Sequence, residues 1–249
     1  MKFTLLNENS AGRKNHKLCL AEWGLSVFIE INNVKILLDS GHTDVYKQNA
    51  NKLGIDLNQV DFVVLSHNHW DHTGGLRFHE FKEKKKIIIH PQILDKLPQD
   101  ESEKIKKDFE VVTSTKPLEF SKNIFYLGEI PRKSNFEKGE WKSDPMIDDS
   151  AIAIKTSEGV VVISGCSHSG ICNICEYAKK ITGQKLLGVI GGFHLFEDDM
   201  ETVAKTIEYF KTEKPKHLFP MHCVDHAAMS MFYNTFQCKK YSSGDTFEI

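Results

Sequence analysis

Four residues with metal-binding side chains, His67, His69, Asp71 and His72, lie within six positions of the segment SHNHWDHTGG at 66–75. His67 and His69 are two residues apart, so in an extended segment their side chains project to the same side. Imidazole and carboxylate groups are suitable ligands for zinc or non-haem iron. Four ligands are too many for one tetrahedral ion that keeps an open position. The pattern therefore predicts two ions, one bound by the histidine pair and one by Asp71 with His72.

The elements that position this motif are predicted from hydrophobic periodicity. Strands are predicted at 25–31, 34–38, 60–65, 86–90, 122–127, 151–155, 159–164, 186–190 and 217–219. Helices are predicted at 44–53, 74–84, 91–97, 171–181, 199–213 and 225–236. Strands that alternate with helices indicate a layered α/β architecture. Runs such as FVVL and VVVI are apolar throughout, which is typical of strands covered on both faces.

Further candidate ligands follow later strands. They lie in SGCSHSG at 164–170, GGFHL at 191–195 and PMHC at 220–223, each at the end of a predicted strand. These segments are the expected partners of the histidine motif from elsewhere in the chain.

The composition is that of an ordinary globular protein. The 249 residues include 40% hydrophobic and 27% charged side chains, with a formal net charge of −2. This balance argues against a general nucleic-acid surface, and no apolar run approaches the roughly 20 residues that span a bilayer. The amino-terminal residues show no apolar core followed by a cleavage site, so we expect no secretion. Six scattered cysteines are typical of free thiols in a reducing compartment. We expect a cytoplasmic protein with neither nucleic-acid nor membrane partners.

We predict a single domain over 1–249, with an active-site loop around 128–150. This stretch is the least regular in the chain, but strand patterns of the same character continue on both sides of it. Arg132 lies in this loop, and a guanidinium group binds phosphate or carboxylate with two hydrogen bonds. We predict that Arg132 anchors an anionic small-molecule substrate; the alternative is an incidental loop charge.

The motif HNHWDH resembles the metal-binding motif of the metallo-β-lactamase superfamily. A strand that ends at Asp39 in ILLDSG precedes it, and the strand-end candidates follow in order. Segments spread over 21–223 resemble more closely the dihydropterin-methyl-(ribofuranosyl)aminobenzene phosphate synthase-like subgroup. They are AEWGLSVFIE, LLDSG, NANKLGIDLNQVDFVVLSHNHWDHTGG, GEIPR, FE, GCSHSGICNI, GGFHL and PMHC. The resemblance implies a four-layer αββα fold with a dinuclear metal site at one edge of two central sheets.

The resemblance also implies roles for residues outside the motif. His222 matches the late histidine that completes the second metal site. Cys166 falls near the position of an aspartate that bridges both ions in many members, and His168 could supply an imidazole that those members place earlier. A thiolate ligand favours zinc, with iron or manganese as alternatives. The alternative for Cys166 is a small buried hydrophobic residue.

Two residues have more than one interpretation. His194 follows two glycines and could be a metal ligand, a hydrogen-bond donor to a ligand, or a substrate contact. Asp39 is predicted to orient a ligand imidazole, with a simple turn residue as the alternative. Phe136, Trp141 and Trp70 could form an apolar wall for a ring such as a pterin.

The first functional hypothesis is a metal-dependent hydrolase that uses two ions to activate water against an ester or phosphoester. Asp71 would orient the water and accept its proton. The alternative is the subgroup's transferase reaction, which joins a pterin to a ribosyl-aminobenzene phosphate as diphosphate departs. A di-iron redox protein and a non-catalytic metal-binding protein are the remaining alternatives.

Overall fold

The structure is a computed structural model that describes residues 1–14, 16–137 and 139–249. Its strands are β1 (Lys2–Asn7), β2 (Arg13–Lys14), β3 (Lys17–Leu18), β4 (Ser26–Ile31), β5 (Val34–Leu38), β6 (Phe62–Val64), β7 (Lys85–Ile89), β8 (Phe109–Thr113), β9 (Leu118–Ser121), β10 (Ile124–Tyr126), β11 (Ala151–Lys155), β12 (Val160–Ser164), β13 (Leu186–Gly192), β14 (His217–Met221) and β15 (Thr246–Glu248). Its α-helices are α1 (Val45–Leu53), α2 (Trp70–Thr73), α3 (Pro91–Lys96), α4 (Gln99–Asp108), α5 (Ile171–Thr182), α6 (Met200–Glu213) and α7 (His226–Phe236).

The chain forms two compact units. The first unit comprises Met1–Thr113 and Tyr241–Ile249, and the second comprises Ser114–Lys240. Each contains a β-sheet with helices packed on it, which confirms the predicted α/β class. The prediction of a single domain over 1–249 stays a prediction.

The first unit has a seven-stranded sheet in the order β15-β1-β4-β5-β6-β7-β8. Strands β5 to β8 run parallel, so their carboxyl ends lie along one edge of the sheet. Side chains of this sheet and of α1 and α4, including Leu37, Ala50, Val63 and Ile105, form one buried apolar cluster. The burial of Val63 and Val64 on opposite faces of β6 is that expected for a parallel strand covered on both sides.

The second unit has a six-stranded sheet in the order β14-β13-β12-β11-β10-β9. Strands β12, β13 and β14 are parallel, and their carboxyl ends again share one edge. Helix α5 packs against β11, β12 and β13. It is capped by Gly183, whose φ of 67° suits a residue without a side chain. Ile174, Phe210 and Phe232 are completely buried in the core between this sheet and α5, α6 and α7.

One predicted helix, at 74–84, is wrong. Residues Gly74–Phe78 form a short 3₁₀ turn, and the described residues from 79 to 84 contain no helix. A Cβ atom on Gly75 would lie 2.1 Å from the carbonyl oxygen of Ser40, so this turn is packed tightly against backbone. The charged run at 82–86 has no apolar face to hold a longer helix against the sheet.

The segment between β10 and β11 contains no helix or strand among its described residues, as predicted for the loop at 128–150. Its role at an active site stays a prediction. In the described part of the chain, no helix combines the length and the apolar character needed to cross a membrane.

Candidate metal centre

The histidine motif occupies the turn that follows β6 and the short helix α2 in the first unit. The ring centres of His67 and His69 are 4.7 Å apart, and those of His67 and His72 are 4.2 Å apart. A carboxylate oxygen of Asp71 lies 3.7 Å from Nε2 of His72. His67, Asp71 and His72 are buried. The first unit therefore brings the four predicted ligands of the motif together.

Asp39 follows β5, the parallel neighbour of β6, and so lies at the same edge of the sheet as the motif. Its carboxylate accepts hydrogen bonds from the backbone N–H of Ser66 at 2.8 Å, from the Ser66 hydroxyl at 2.7 Å and from Nδ1 of His72 at 2.7 Å. Asp39 is fully buried, and its φ of 54° is an unusual conformation for an aspartate. Such strain typically persists where the surrounding structure holds a functional residue in place.

The hydrogen bonds of Asp39 set the tautomers of two histidines. Because Nδ1 of His72 donates to Asp39, its Nε2 carries the lone pair. The Ser66 hydroxyl donates to Asp39, so its oxygen accepts from Nδ1 of His67 at 2.8 Å. His67 therefore also presents Nε2 as an acceptor. Two imidazoles with outward lone pairs and an adjacent carboxylate form a donor set that fits a divalent metal ion.

We expect Asp39→Asn to weaken metal binding by about 10- to 100-fold, as is usual when the partner of a ligand histidine is lost. The two carboxylate oxygens of Asp39 accept hydrogen bonds from Ser66 and His72. The amide of an asparagine has only one oxygen acceptor, so it cannot accept all of them. Competition with a chelating zinc dye measures the affinity. Asp61→Asn is the matched control. Asp61 is exposed just before β6, and among the described residues its carboxylate accepts a hydrogen bond only from the backbone N–H of Lys35. An unchanged affinity in Asp39→Asn would contradict this role.

In the second unit, the remaining predicted ligands follow the ends of β12, β13 and β14. Ser167, His194 and His222 have φ values of 62°, 50° and 56°, all in the left-handed region. Non-glycine residues adopt this region rarely, and three at the ends of adjacent parallel strands mark a constrained edge. His168 and His194 lie together at this edge, with ring centres 4.3 Å apart.

The turn that carries His168 is held by two residues that the sequence did not indicate. The Ser167 hydroxyl donates to the carbonyl of Gly192 at 2.6 Å, which ties the turn to β13. Asp149 accepts from the backbone and hydroxyl of Ser169 at 2.9 and 2.5 Å. Burial raises the pKa of the Asp149 carboxyl to about 6. The DDS run before β11 is a signal that could have pointed to Asp149.

Cys166 lies in a small cluster with His194 and Cys223, a residue the sequence analysis did not select. The ligand atoms of these three side chains lie within 4.8 Å of one another. The backbone N–H of His194 donates to Sγ of Cys223 at 3.3 Å, and a Cβ atom on Gly192 would lie 2.5 Å from that sulfur. Glycine is therefore required there, and the two thiols are closely packed with the imidazole.

Arg132 binds within its own loop. Its Nη2 donates to the carbonyl oxygens of Pro145 at 2.5 Å and Met146 at 2.8 Å. These bonds connect the segment around Arg132 to the later part of the same loop, around Pro145. The prediction that Arg132 also anchors an anionic substrate group stays a prediction. Of the aromatic residues predicted to line a ring site, Trp141 lies beside His194, with ring centres 5.3 Å apart.

The sequence model of the metallo-beta-lactamase superfamily matches residues 24–222, which include every ligand predicted here. The chain belongs to this superfamily. A superfamily structure, Tm1679, described as a metal-dependent hydrolase, is 27% identical and has a TM-score of 0.83 over 100% of this chain and 99% of its own. Zinc-bound PqqB from Methylobacterium extorquens shares the fold at 12% identity, with a TM-score of 0.64 and complete coverage of both chains.

Among relatives of known name, one from Methanocaldococcus jannaschii is 35% identical over 87% of this chain and 86% of its own length. Its name is 7,8-dihydropterin-6-methyl-4-(beta-D-ribofuranosyl)-aminobenzene-5'-phosphate synthase. An uncharacterized protein of the same organism is 31% identical over 91% of each chain. The metallo-β-lactamase fold and the resemblance to the synthase-like subgroup are thereby confirmed.

Proposed function

We propose that this protein is a metal-dependent transferase that joins a dihydropterin to a ribofuranosyl-aminobenzene phosphate. The observation that carries the proposal is the 35% identity, over most of both chains, to a relative named for the synthesis of such a conjugate. The sequence allows this reaction as well as hydrolysis, and the identity to the named synthase favours the transferase reaction.

We propose that two divalent ions, zinc by preference, serve this reaction. In the first unit the candidate ligands are His67, His69, Asp71 and His72, whose side chains lie together. Cys166, His168 and His222, in the second unit, are the further ligands that the resemblance implies. Bound ions would stabilise negative charge that develops on a departing diphosphate.

The chain's own residues would hold the reactants and move one proton. The methyl carbon of the pterin forms a bond to the amine nitrogen as its bond to a diphosphate oxygen breaks, and the electron pair leaves with the diphosphate. The amine loses a proton, for which the Asp71 carboxylate is the candidate acceptor. Asp39 keeps His67 and His72 in the tautomers that ligation requires.

A metal-dependent hydrolase is the second candidate. Its support is the likeness to Tm1679, which is described as a hydrolase of the superfamily and covers the full chain. The same donor set would then direct water, in place of an amine, at an ester or phosphoester.

The test is an assay with both reactants named in the proposal. The purified protein is incubated with a 7,8-dihydropterin-6-methyl diphosphate and 4-(β-D-ribofuranosyl)aminobenzene 5'-phosphate, and mass spectrometry follows the products. Equal amounts of conjugate and diphosphate are expected. Hydrolysis of a phosphoester panel without conjugate would favour the second candidate. If the metal-loaded protein shows neither activity, both candidate functions are contradicted.

A further inference from the structure

A cavity of about 180 Å³ opens in the second unit beside His168 and His194. This volume equals roughly six molecules of liquid water, taking about 30 Å³ for each. It suits a single flat ring system rather than a whole conjugate of pterin, aminobenzene, ribose and phosphate. The cavity would therefore bind only one end of the substrate.

Aromatic side chains form part of its wall. Trp141 and Phe196 lie on the cavity together with His194, whose ring centre is 5.3 Å from that of Trp141 and 4.9 Å from that of Phe196. Both pairs meet edge to face, at interplanar angles of 82° and 88°. Such a wall favours an aromatic ring, because ring contacts add to the free energy of burying apolar area.

The described lining of the cavity carries negative charge. It includes four carboxylates, Glu137, Glu140, Asp198 and Asp199, and neither lysine nor arginine. Two of the four already accept hydrogen bonds from backbone N–H groups in the first turn of a helix. Glu137 accepts from the backbone N–H groups of Cys172 and Asn173 in α5, and Asp199 accepts from the backbone of Thr202 in α6.

The other two carboxylates have capacity for a ligand. Within the described chain, neither Glu140 nor Asp198 forms a hydrogen bond or ion pair, and both are largely exposed. A carboxylate accepts two parallel N–H groups in a charge-assisted pair. It repels a phosphate, so we expect the phosphate groups of both reactants to lie outside the carboxylate-lined part of this cavity.

We propose that this cavity binds the pterin ring, with the 2-amino and ring N–H groups donating to Asp198 and Glu140. The proposal rests on the proposed function for its ligand, because a pterin combines a flat aromatic ring with an edge of adjacent N–H donors. The phosphorylated aminobenzene binds elsewhere. Asp198 and Glu140 thus determine specificity for the 2-amino group.

The experiment measures binding of 6-hydroxymethylpterin alone, by the change in its fluorescence, to the full-length protein. The double variant Glu140→Gln/Asp198→Asn is expected to bind it about tenfold or more weakly, the usual loss when hydrogen bonds to a charged group are removed. Glu208→Gln is the matched control, since exposed Glu208 on α6 pairs with Lys211 and does not line the cavity. Its affinity should equal that of the unmodified protein.

A second ligand tests the hydrogen-bonded edge directly. In lumazine the 2-amino group is replaced by oxygen, which cannot donate to a carboxylate. The unmodified protein should prefer the pterin to the corresponding lumazine by about tenfold or more, and the double variant should lose this preference. Equal preference in both proteins would overturn the proposal. A folding defect would weaken the binding of both ligands alike, and circular dichroism would detect it.

The outcomes separate this inference from the proposed function. If the conjugate forms but the double variant leaves pterin affinity and the KM for the pterin substrate unchanged, the inference fails and the transferase stands. If no conjugate forms but the pterin binds with the expected dependence on Asp198 and Glu140, the transferase fails and the pterin site stands.

Discussion

Replacing His69 with alanine should lower the rate of conjugate formation by about a thousandfold. The variant removes one of four candidate ligands on a single turn, and metal-ion catalysis contributes several kcal/mol to lowering the barrier. Each 1.36 kcal/mol corresponds to about a factor of ten in rate. Steady-state kinetics under saturating metal measures the rate, and elemental analysis of the purified protein counts the ions for each chain. We expect two ions in the unmodified protein and fewer in the variant.

His42→Ala is the matched control for this experiment. His42 lies in the same unit and packs edge to face on Trp70, with ring centres 4.5 Å apart, but it is exposed and is no candidate ligand. Its metal content should stay at the unmodified level. Full activity together with full metal content in His69→Ala would remove His69 from the site, and the dinuclear assignment with it.

Stability should fall by about 3 kcal/mol as the pH drops from 6.5 to 4, because of His79. This side chain is buried, its Nδ1 lies 2.9 Å from the Tyr46 hydroxyl, and burial together with Lys47 and Lys104 lowers its pKa to about 4. In the unfolded chain its pKa is close to 6.5, so that state binds the proton first. The stabilisation is complete above pH 6.5 and is lost as the pH falls towards 4.

Urea denaturation at pH 7, 5.5 and 4 tests this expectation through a difference between variants. The stability advantage of the unmodified protein over His79→Gln should shrink by about 3 kcal/mol across this range. Tyr46→Phe keeps the buried imidazole and removes only its hydroxyl partner, so it should keep the pH dependence. A constant difference between the unmodified protein and His79→Gln would show that His79 is not the group responsible.

The sequence predicts the local features of the site. The strands at 34–38 and 151–155 were predicted with the bounds that β5 and β11 have, and α5, α6 and α7 were predicted to within one residue. These elements carry strong apolar periodicity, and the histidine motif is confined to six neighbouring residues. Helix α4 was missed because only Ser102 and Ile105 of its ten residues are buried, which leaves almost no apolar face to detect.

The ligand types and their position after a buried strand follow from the sequence alone, because both depend on residues close together in the chain. Which partners those ligands have depends on the tertiary structure. Asp39 reaches His72 across 33 positions of sequence because β5 and β6 are parallel neighbours. The cavity lined by Glu140 and Asp198 likewise joins a loop before β11 to the residues that precede α6. Hydrogen bonds and electrostatic interactions depend on distances between atoms in space, and the folding of the sheet sets those distances.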